Sequence, residues 1–346
     1  MSKQVKIGNI CIGGGEKVAV QSMTTFKPAD IKNSIRQIID LQQNGCDIVR
    51  FSVLDDADIK GIKEIKKAVD CPLVADIHFD YRLAIKAIDV GVDKIRINPG
   101  NIGAETNVKA VAEALKGSGV AVRVGANTGS IEKDFLLKYG KNEISLVESA
   151  LKNVSVLEKY GVDNIVISVK ASDTALMIKS YEYLAKRTEY PLHLGVTEAG
   201  AYLDGVVKNS IGIGSLLIKG IGDTIRVSLS DNPVKEVEAG RSILRAVGLE
   251  KDFVEVIACP TCGRCEWDCM SFANEVNELV KGVPKRLKIA VMGCVVNGPG
   301  EAIDCDIGIA GGKDKAVIFK NGEIYKTVMI ENAKNEFLKE IKLCLK

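Results

Sequence analysis

Two hydrophobic rhythms alternate from Val18 to about Leu249: a short β-branched run, then a polar turn, then a longer amphipathic segment. The first rhythm predicts buried strands and the second predicts helices lying over them. The strands fall at Val18–Met23, Asp47–Val53, Pro72–His78, Lys94–Asn98, Ala121–Ala126, Asn164–Val169, Pro191–Val196 and Thr224–Leu229. Helical stretches between them include Ile31–Gln43, Ala57–Val69, Val108–Lys116, Ser145–Tyr160, Thr174–Lys186 and Val234–Ala246. Several end in Gly with Asp two positions on, as in Gly45-Cys46-Asp47, Gly91-Val92-Asp93 and Gly161-Val162-Asp163. Glycine suits the left-handed position that closes a helix. Strands alternating with helices pair in parallel, so eight such units predict an α/β chain with a closed (β/α)8 TIM barrel. An open doubly wound sheet is the alternative arrangement of the same units.

From about Phe253 the rhythm changes. Strand-like runs at Phe253–Ala258, Leu287–Met292, Asp306–Ala310 and Ala316–Phe319 enclose a helix near Ser271–Lys281, and a terminal helix starts near Glu331. The expected division is therefore a barrel over residues 1–250 and a small α/β domain over 251–346 with cysteines in its loops.

Composition narrows the partners. The chain has 346 residues with 47 Lys+Arg against 45 Asp+Glu. So small an excess gives no bulk attraction to nucleic acid or to an anionic membrane, and neither is an expected partner. Any anion site must be built locally. No stretch approaches the roughly 20 apolar residues of a membrane helix, and the N-terminus lacks a signal-peptide apolar region. Ten cysteines in that context read as reduced thiols, and a cytoplasmic protein is expected. The Gly-rich stretches Gly13-Gly14-Gly15 and Gly212-Ile213-Gly214 lack the spacing of phosphate or dinucleotide loops and read as turns.

Catalytic groups of such barrels sit at the C-terminal ends of the strands. Those ends are basic here, carrying Arg50, Arg96, Arg123, Lys170 and Arg226 from five strands. The strand period of two sets Asn98 on the face of Arg96, Asn127 on that of Arg123, His78 on that of Asp76, and Ser228 on that of Arg226. Convergent cations in a nearly neutral protein predict a site for a multiply charged anion, phosphate or diphosphate, where arginine donates two parallel hydrogen bonds. His193, in mid-strand, reads as a hydrogen-bonded core histidine, whereas His78 at a strand end reads as a substrate contact. Glu198 follows the seventh strand, where a carboxylate amid arginines serves as an acid–base group or balances charge.

The second domain carries Cys259-Pro260-Thr261-Cys262 and Gly293-Cys294-Val295-Val296-Asn297-Gly298-Pro299-Gly300-Glu301. Thiolates at this spacing favour zinc or an iron–sulfur cluster. A zinc-stapled binding module is the rival reading, although Cys294 lacks the second C-x2-C of a zinc ribbon. Cys265 and Cys269 extend the first pair to a ferredoxin-like spacing, but Met270 stands where that run has proline. The C-x3-C-x2-C run of adenosylmethionine radical enzymes is absent, since Cys11 is the lone cysteine near the first strand.

These segments closely resemble the bacterial 4-hydroxy-3-methylbut-2-enyl diphosphate synthase family (IspG/GcpE). The resemblance extends through Val20-Gln21-Ser22-Met23-Thr24, Asp76-Ile77-His78-Phe79, Arg96-Ile97-Asn98-Pro99-Gly100 and His193-Leu194-Gly195-Val196-Thr197-Glu198, and so spans the chain. It implies a TIM barrel followed by a [4Fe-4S] cluster domain, the cluster held by Cys259, Cys262, Cys294 and Glu301. The implied activity is an oxidoreductase of the MEP isoprenoid pathway that reductively opens a cyclic diphosphate, with electrons from flavodoxin or ferredoxin. Arg50, Arg96, Arg123, Asn127, Lys170, Arg226 and Ser228 become diphosphate contacts, Glu198 a candidate proton donor, and Glu301 an exchangeable ligand that joins the catalysis. A homodimer is implied too. Cys265 and Cys269 depart from the family and read as passive thiols, or as alternative ligands.

Overall fold

The β-branched runs become the staves of a ring. The structure, a computed structural model, describes residues 1–98, 101–129, 131–294, 300 and 302–346. The chain divides into two compact units, Met1–Leu249 and Glu250–Lys346.

The first unit begins with an antiparallel hairpin, β1 (Val5–Ile7) and β2 (Ile10–Ile12). The ring strands follow: β3 (Ala19–Met23), β4 (Ile48–Ser52), β5 (Leu73–Asp76), β6 (Lys94–Ile97), β7 (Ala121–Asn127), β8 (Ile165–Lys170), β9 (His193–Leu194) and β10 (Thr224–Ile225). Neighbours pair in parallel from β3 through β8, and β10 lies between β3 and β9. A parallel bridge from Ile167 to Leu192 joins β8 to the segment entering β9 and completes the circle. The crossovers are α1 (Ile31–Gln43), α2 (Asp56–Ala68), α3 (Tyr81–Asp89), α4 (Glu105–Leu115), α5 (Lys133–Tyr139) with α6 (Glu143–Lys159), α7 (Thr174–Ala185) and α8 (Tyr202–Ile218), and α9 (Pro233–Ala246) closes the unit. Their apolar stripes, such as Ile38 and Leu41 of α1 and Ile62 and Ile65 of α2, pack with the outward strand residues Val49 and Phe51 in one buried cluster.

Inside the ring, polarity changes along the strands. At their N-terminal ends Ala19, Ile48, Val74, Ala121 and Val166 cluster with Val5, Ile7 and Ile12 of the hairpin, which plugs that end with apolar side chains. One strand period further on, the same face presents Gln21, Arg50, Asp76, Arg123 and Ser168, all buried. The site therefore starts two residues above the plug.

The Gly-x-Asp signals do two jobs. Gly45 and Gly91 take φ of 93° and 88° and reverse the chain after α1 and α3. The aspartates then tie neighbouring strands: Asp47 accepts the Val20 amide at 2.7 Å, and Asp93 accepts that of Leu73 at 2.8 Å. Asp223 repeats the bond to Leu192 at 2.8 Å.

Three expectations change. The seventh and eighth strands pair over two residues each, and beyond them the Gly195 backbone passes close to Arg226: a Cβ there would meet the Arg226 carbonyl oxygen at 2.6 Å. Gly212-Ile213-Gly214 is no turn but lies inside α8. A Cβ on Gly212 would stand 2.8 Å from Val196 Cγ2, so the glycine lets α8 approach the barrel where a propensity argument expects a break. The N-terminal hairpin, absent from the expected elements, is the plug itself.

In the second unit β11 (Val254–Ala258), β12 (Leu287–Met292) and β13 (Ile307–Gly311) are parallel, while β14 (Lys315–Lys320) and β15 (Glu323–Met329) extend the sheet antiparallel. Helices α10 (Cys269–Val280) and α11 (Ile330–Leu345) contribute Phe272, Val276, Phe337 and Ile341 to a core with Ile289, Val291, Ile307 and Ile309. The unexpected β15 is turned out of β14 by Asn321-Gly322, both with positive φ, 49° and 79°. Among the described residues no helix is long and apolar enough to cross a membrane.

Gly61 of α2 tests the barrel packing. Alanine raises helix propensity by about 1 kcal/mol over glycine, but a Cβ there would meet the Pro28 carbonyl oxygen at 2.0 Å. Backbone cannot rotate aside, so overpacking wins by about 1–3 kcal/mol. Gly61→Ala should lower the thermal unfolding midpoint; an unchanged or raised midpoint would contradict the packing.

Candidate active site

Above the plug the lumen is cationic. Arg50, Lys94, Arg96, Arg123 and Lys170 are each at most 9% exposed. Asp76 stands between two of them: Arg96 Nη1 donates to Asp76 Oδ1 at 3.1 Å, and Arg50 Nε lies 3.6 Å from Oδ2. Burial pushes the Asp76 carboxyl up, but Arg50, Arg96 and Arg123 outweigh it and hold the group below the usual carboxylate range. The cations pay the other way. Burial, and then their mutual repulsion, lowers Arg50 to about 10 and depresses Arg123, Lys170 and Lys94 well below their ordinary values.

The donors are also unsatisfied. Arg123 Nε and Nη1 and Arg96 Nε are buried without a hydrogen-bond partner among the described residues, as is His193 Nε2. Each such group costs about 1–3 kcal/mol if nothing meets it. Buried forks with idle N–H groups and excess positive charge have one economical complement, a multiply charged anion with several oxygens.

The other expected site residues occupy different environments. Asn98 is buried after β6, and Asn127 is half-buried in register with Lys170. His78 is exposed at the rim, its Nε2 at 3.4 Å from Arg96 Nη1 and 3.7 Å from Asp76 Oδ1. Arg226 does not stand idle: its Nη2 donates to Glu236 Oε1 at 3.0 Å and to Oε2 at 3.3 Å. Glu236 also accepts Ser22 Oγ at 3.0 Å and the Leu229 amide at 3.1 Å, bracing the strand-eight end against α9. Ser228 is half-buried there, its carbonyl accepting Asn209 Nδ2 at 3.3 Å. Glu198 is exposed beyond β9 with φ of 54°, a left-handed conformation rare for glutamate. His193 is fully buried with Nδ1 hydrogen-bonded to Thr224 Oγ1, and burial plus Arg123, Lys170 and Lys94 holds its imidazole well below the usual range.

Lys94, Gln21 and Glu236 were not anticipated. Lys94 Nζ donates to Gln21 Oε1 at 3.2 Å in the lumen floor. The signal for it was available, since Lys94 precedes Arg96 by one strand period. Glu236 pairs with Arg226 across a loop, and no sequence period connects them.

The cysteines gather at one end of the second sheet. Cys259 directly follows β11, and its amide donates to the Val291 carbonyl at 3.1 Å; Cys294 comes two residues after β12. Exposed Cys262 lies beyond a turn in which Thr261 takes a φ of 57°. The ten cysteines are thiols and not disulfides. Among the described residues no group of three or more His, Cys, Asp or Glu stands ready to hold a metal ion, and Glu301 lies outside the described residues. Cys259 and Cys294 at the C-terminal ends of adjacent parallel strands, with Cys262 beyond the turn after Cys259, nonetheless fit thiolate ligation in type.

Comparison with known proteins follows this division. The family model described as the GcpE TIM-barrel domain matches residues 2–241, and that of the GcpE protein C-terminal domain matches 255–343. A 4-hydroxy-3-methylbut-2-en-1-yl diphosphate synthase (flavodoxin) from Caldanaerobacter subterraneus is 55% identical over 347 residues, spanning 100% of this chain and 98% of that protein. The protein of the same name from Thermotoga petrophila is 54% identical, spanning 99% of each. Among solved structures, dihydropteroate synthases from Stenotrophomonas maltophilia and Yersinia pestis each align with a TM-score of 0.53 at 16% and 12% identity. They span 71% of this chain and 98% and 99% of theirs, a likeness of barrel fold alone.

Asp76→Asn tests the charge balance. Breaking a buried pair costs about 3–5 kcal/mol, so the unliganded variant should unfold at a lower temperature. Inorganic diphosphate should restore more stability to the variant than it adds to the wild type. Equal increments would show that the lumen cations do not depend on a counter-anion.

Proposed function

The chain belongs to the GcpE family along both of its units, and we propose that it catalyses the reaction for which its relatives are named. The substrate is 2-C-methyl-D-erythritol 2,4-cyclodiphosphate, and two electrons and two protons convert it to (E)-4-hydroxy-3-methylbut-2-enyl diphosphate and water. The observation that carries this reading is the lumen of buried cations with idle Arg123 and Arg96 donors.

Arg50, Arg96, Arg123 and Lys170 bind the diphosphate, whose charge offsets their burial. Asp76 fixes Arg50 and Arg96 in rotamers that face the lumen. Arg226, braced by Glu236, adds a rim contact with Ser228, and Asn98 and Asn127 supply neutral hydrogen bonds. His78 contacts the substrate at the rim, and Glu198 delivers a proton to the departing oxygen. Cys259, Cys262, Cys294 and Glu301 would hold a [4Fe-4S] cluster, which would supply one-electron chemistry there. Glu301 is the harder and more exchangeable of the four ligands. Flavodoxin, named in the relatives' titles, or ferredoxin is the electron donor. The enzyme acts in the cytoplasm as a homodimer, and its ten unbridged cysteines agree with a reducing compartment.

Anaerobic purification with iron and sulfide counts, followed by turnover of the cyclic diphosphate, tests the assignment; a colourless zinc protein would end it. Arg96→Ala should lower kcat/KM by an order of magnitude or more, since a charge-assisted contact contributes about 1.5–3 kcal/mol. Wild-type kinetics in that variant would remove the anion assignment. Glu301→Ala should keep a coloured cluster and lose turnover, whereas undiminished activity would exclude ligand exchange at that position.

A further inference from the structure

Two thiols stand outside this chemistry. Cys265 Sγ and Cys269 Sγ lie 3.5 Å apart, and neither directly follows a strand as Cys259 does. Instead both pack into the apolar cluster of the second unit with Trp267 and Phe272. Backbone geometry holds each in place. The Cys265 amide donates to the Cys262 carbonyl at 2.9 Å, and its Sγ contacts the Trp267 carbonyl at 3.1 Å. Cys269 opens α10, whose cap Asp268 accepts the Ser271 amide at 3.2 Å. Space for the two sulfurs comes from Gly293: a Cβ there would stand 2.9 Å from Cys265 Sγ and 3.3 Å from Cys269 Sγ.

We propose that Cys265 and Cys269 form a peroxide-reactive dithiol that closes into an intramolecular disulfide. A disulfide needs its sulfurs about 2.05 Å apart, so the native contact is one short displacement from bonding. The order of events follows from exposure. Cys265 is half-buried and meets the oxidant first, whereas Cys269 is 2% exposed and follows. The Cys265 sulfur attacks one peroxide oxygen; an S–O bond forms, the O–O bond breaks, and the other oxygen leaves as water. The Cys269 sulfur then attacks the sulfenic sulfur of Cys265. The S–S bond forms, the S–O bond breaks, and the hydroxide leaves as water with the Cys269 proton. Two thiols and one hydrogen peroxide give one disulfide and two waters.

Proteolysis makes the test clean. Trypsin cuts after Arg264 and Lys281, so the peptide 265–281 carries these two cysteines and no other, while Cys259 and Cys262 fall in 252–264 and Cys294 in 289–313. The anaerobically purified full-length holoprotein is treated with a stoichiometric amount of hydrogen peroxide, denatured, alkylated, digested and weighed. The 265–281 peptide should be lighter by two hydrogens and take no alkyl group, and should take two after dithiothreitol. Peptide 252–264 should remain fully alkylated. In Cys269→Ser the reaction should stop at a Cys265 sulfenic acid that dimedone captures. Oxidation of 252–264 ahead of 265–281, a cross-link between those peptides, or two alkyl groups on 265–281 after peroxide would each overturn the proposal.

Discussion

Removing a cation from water costs more than any single side-chain contact returns, unless an opposite charge or a set of hydrogen bonds meets it. The barrel removes five and gives two of them Asp76 as partner. Much of the first unit follows from holding that arrangement together. The hairpin fills the lumen floor with Val5, Ile7 and Ile12, which keeps water from entering behind Lys94. Outside the ring, a continuous apolar layer of helices leaves the C-terminal end as the approach for a counter-anion. Arg226 with Glu236 at the rim is a different case, a cation already neutralised within the fold and so suited to positioning more than to attraction.

The two units solve unlike problems with the same geometry. In both, functional groups are carried on the residues that end parallel strands, where side chains converge and the backbone turns away. In the barrel those groups are guanidinium forks and ammonium groups; in the smaller sheet they are Cys259 and Cys294. The distribution also separates the thiols by place. Cys259, Cys262 and Cys294 follow strand ends and turns, while Cys265 and Cys269 belong to the apolar side of the sheet.

Much of the architecture was legible because buried parallel strands read as β-branched runs and Gly-x-Asp marks their entry. The convergence of Arg50, Arg96, Arg123 and Lys170 was legible for a related reason: strand period and barrel polarity together assign an end and a face. What escaped the sequence shares a physical cause. Gly212 looks like a helix breaker, yet it lies inside α8 where a close approach to Val196 leaves no room for a Cβ, a tertiary fact without a local trace. The β1–β2 hairpin is too short to carry a period. Glu236 is joined to Arg226 only through the packing of α9, and the idle donors of Arg123 cannot be inferred from any spacing. Glu301 lies outside the described residues, so its proposed role rests on its motif.

Calorimetry of cyclic diphosphate binding shows whether the depressed, buried cations take the substrate's phosphates as their counter-charge. The bridged phosphates of that ligand carry no titratable proton near neutrality, so proton exchange on binding reports the protein. Burial and the neighbouring guanidinium groups hold Lys94 and Lys170 well below their ordinary values, and an arriving anion raises them. Titrations in buffers of different ionisation enthalpy should therefore reveal net proton uptake that diminishes in Lys170→Met. Binding without proton uptake, or no binding at all, would contradict the account.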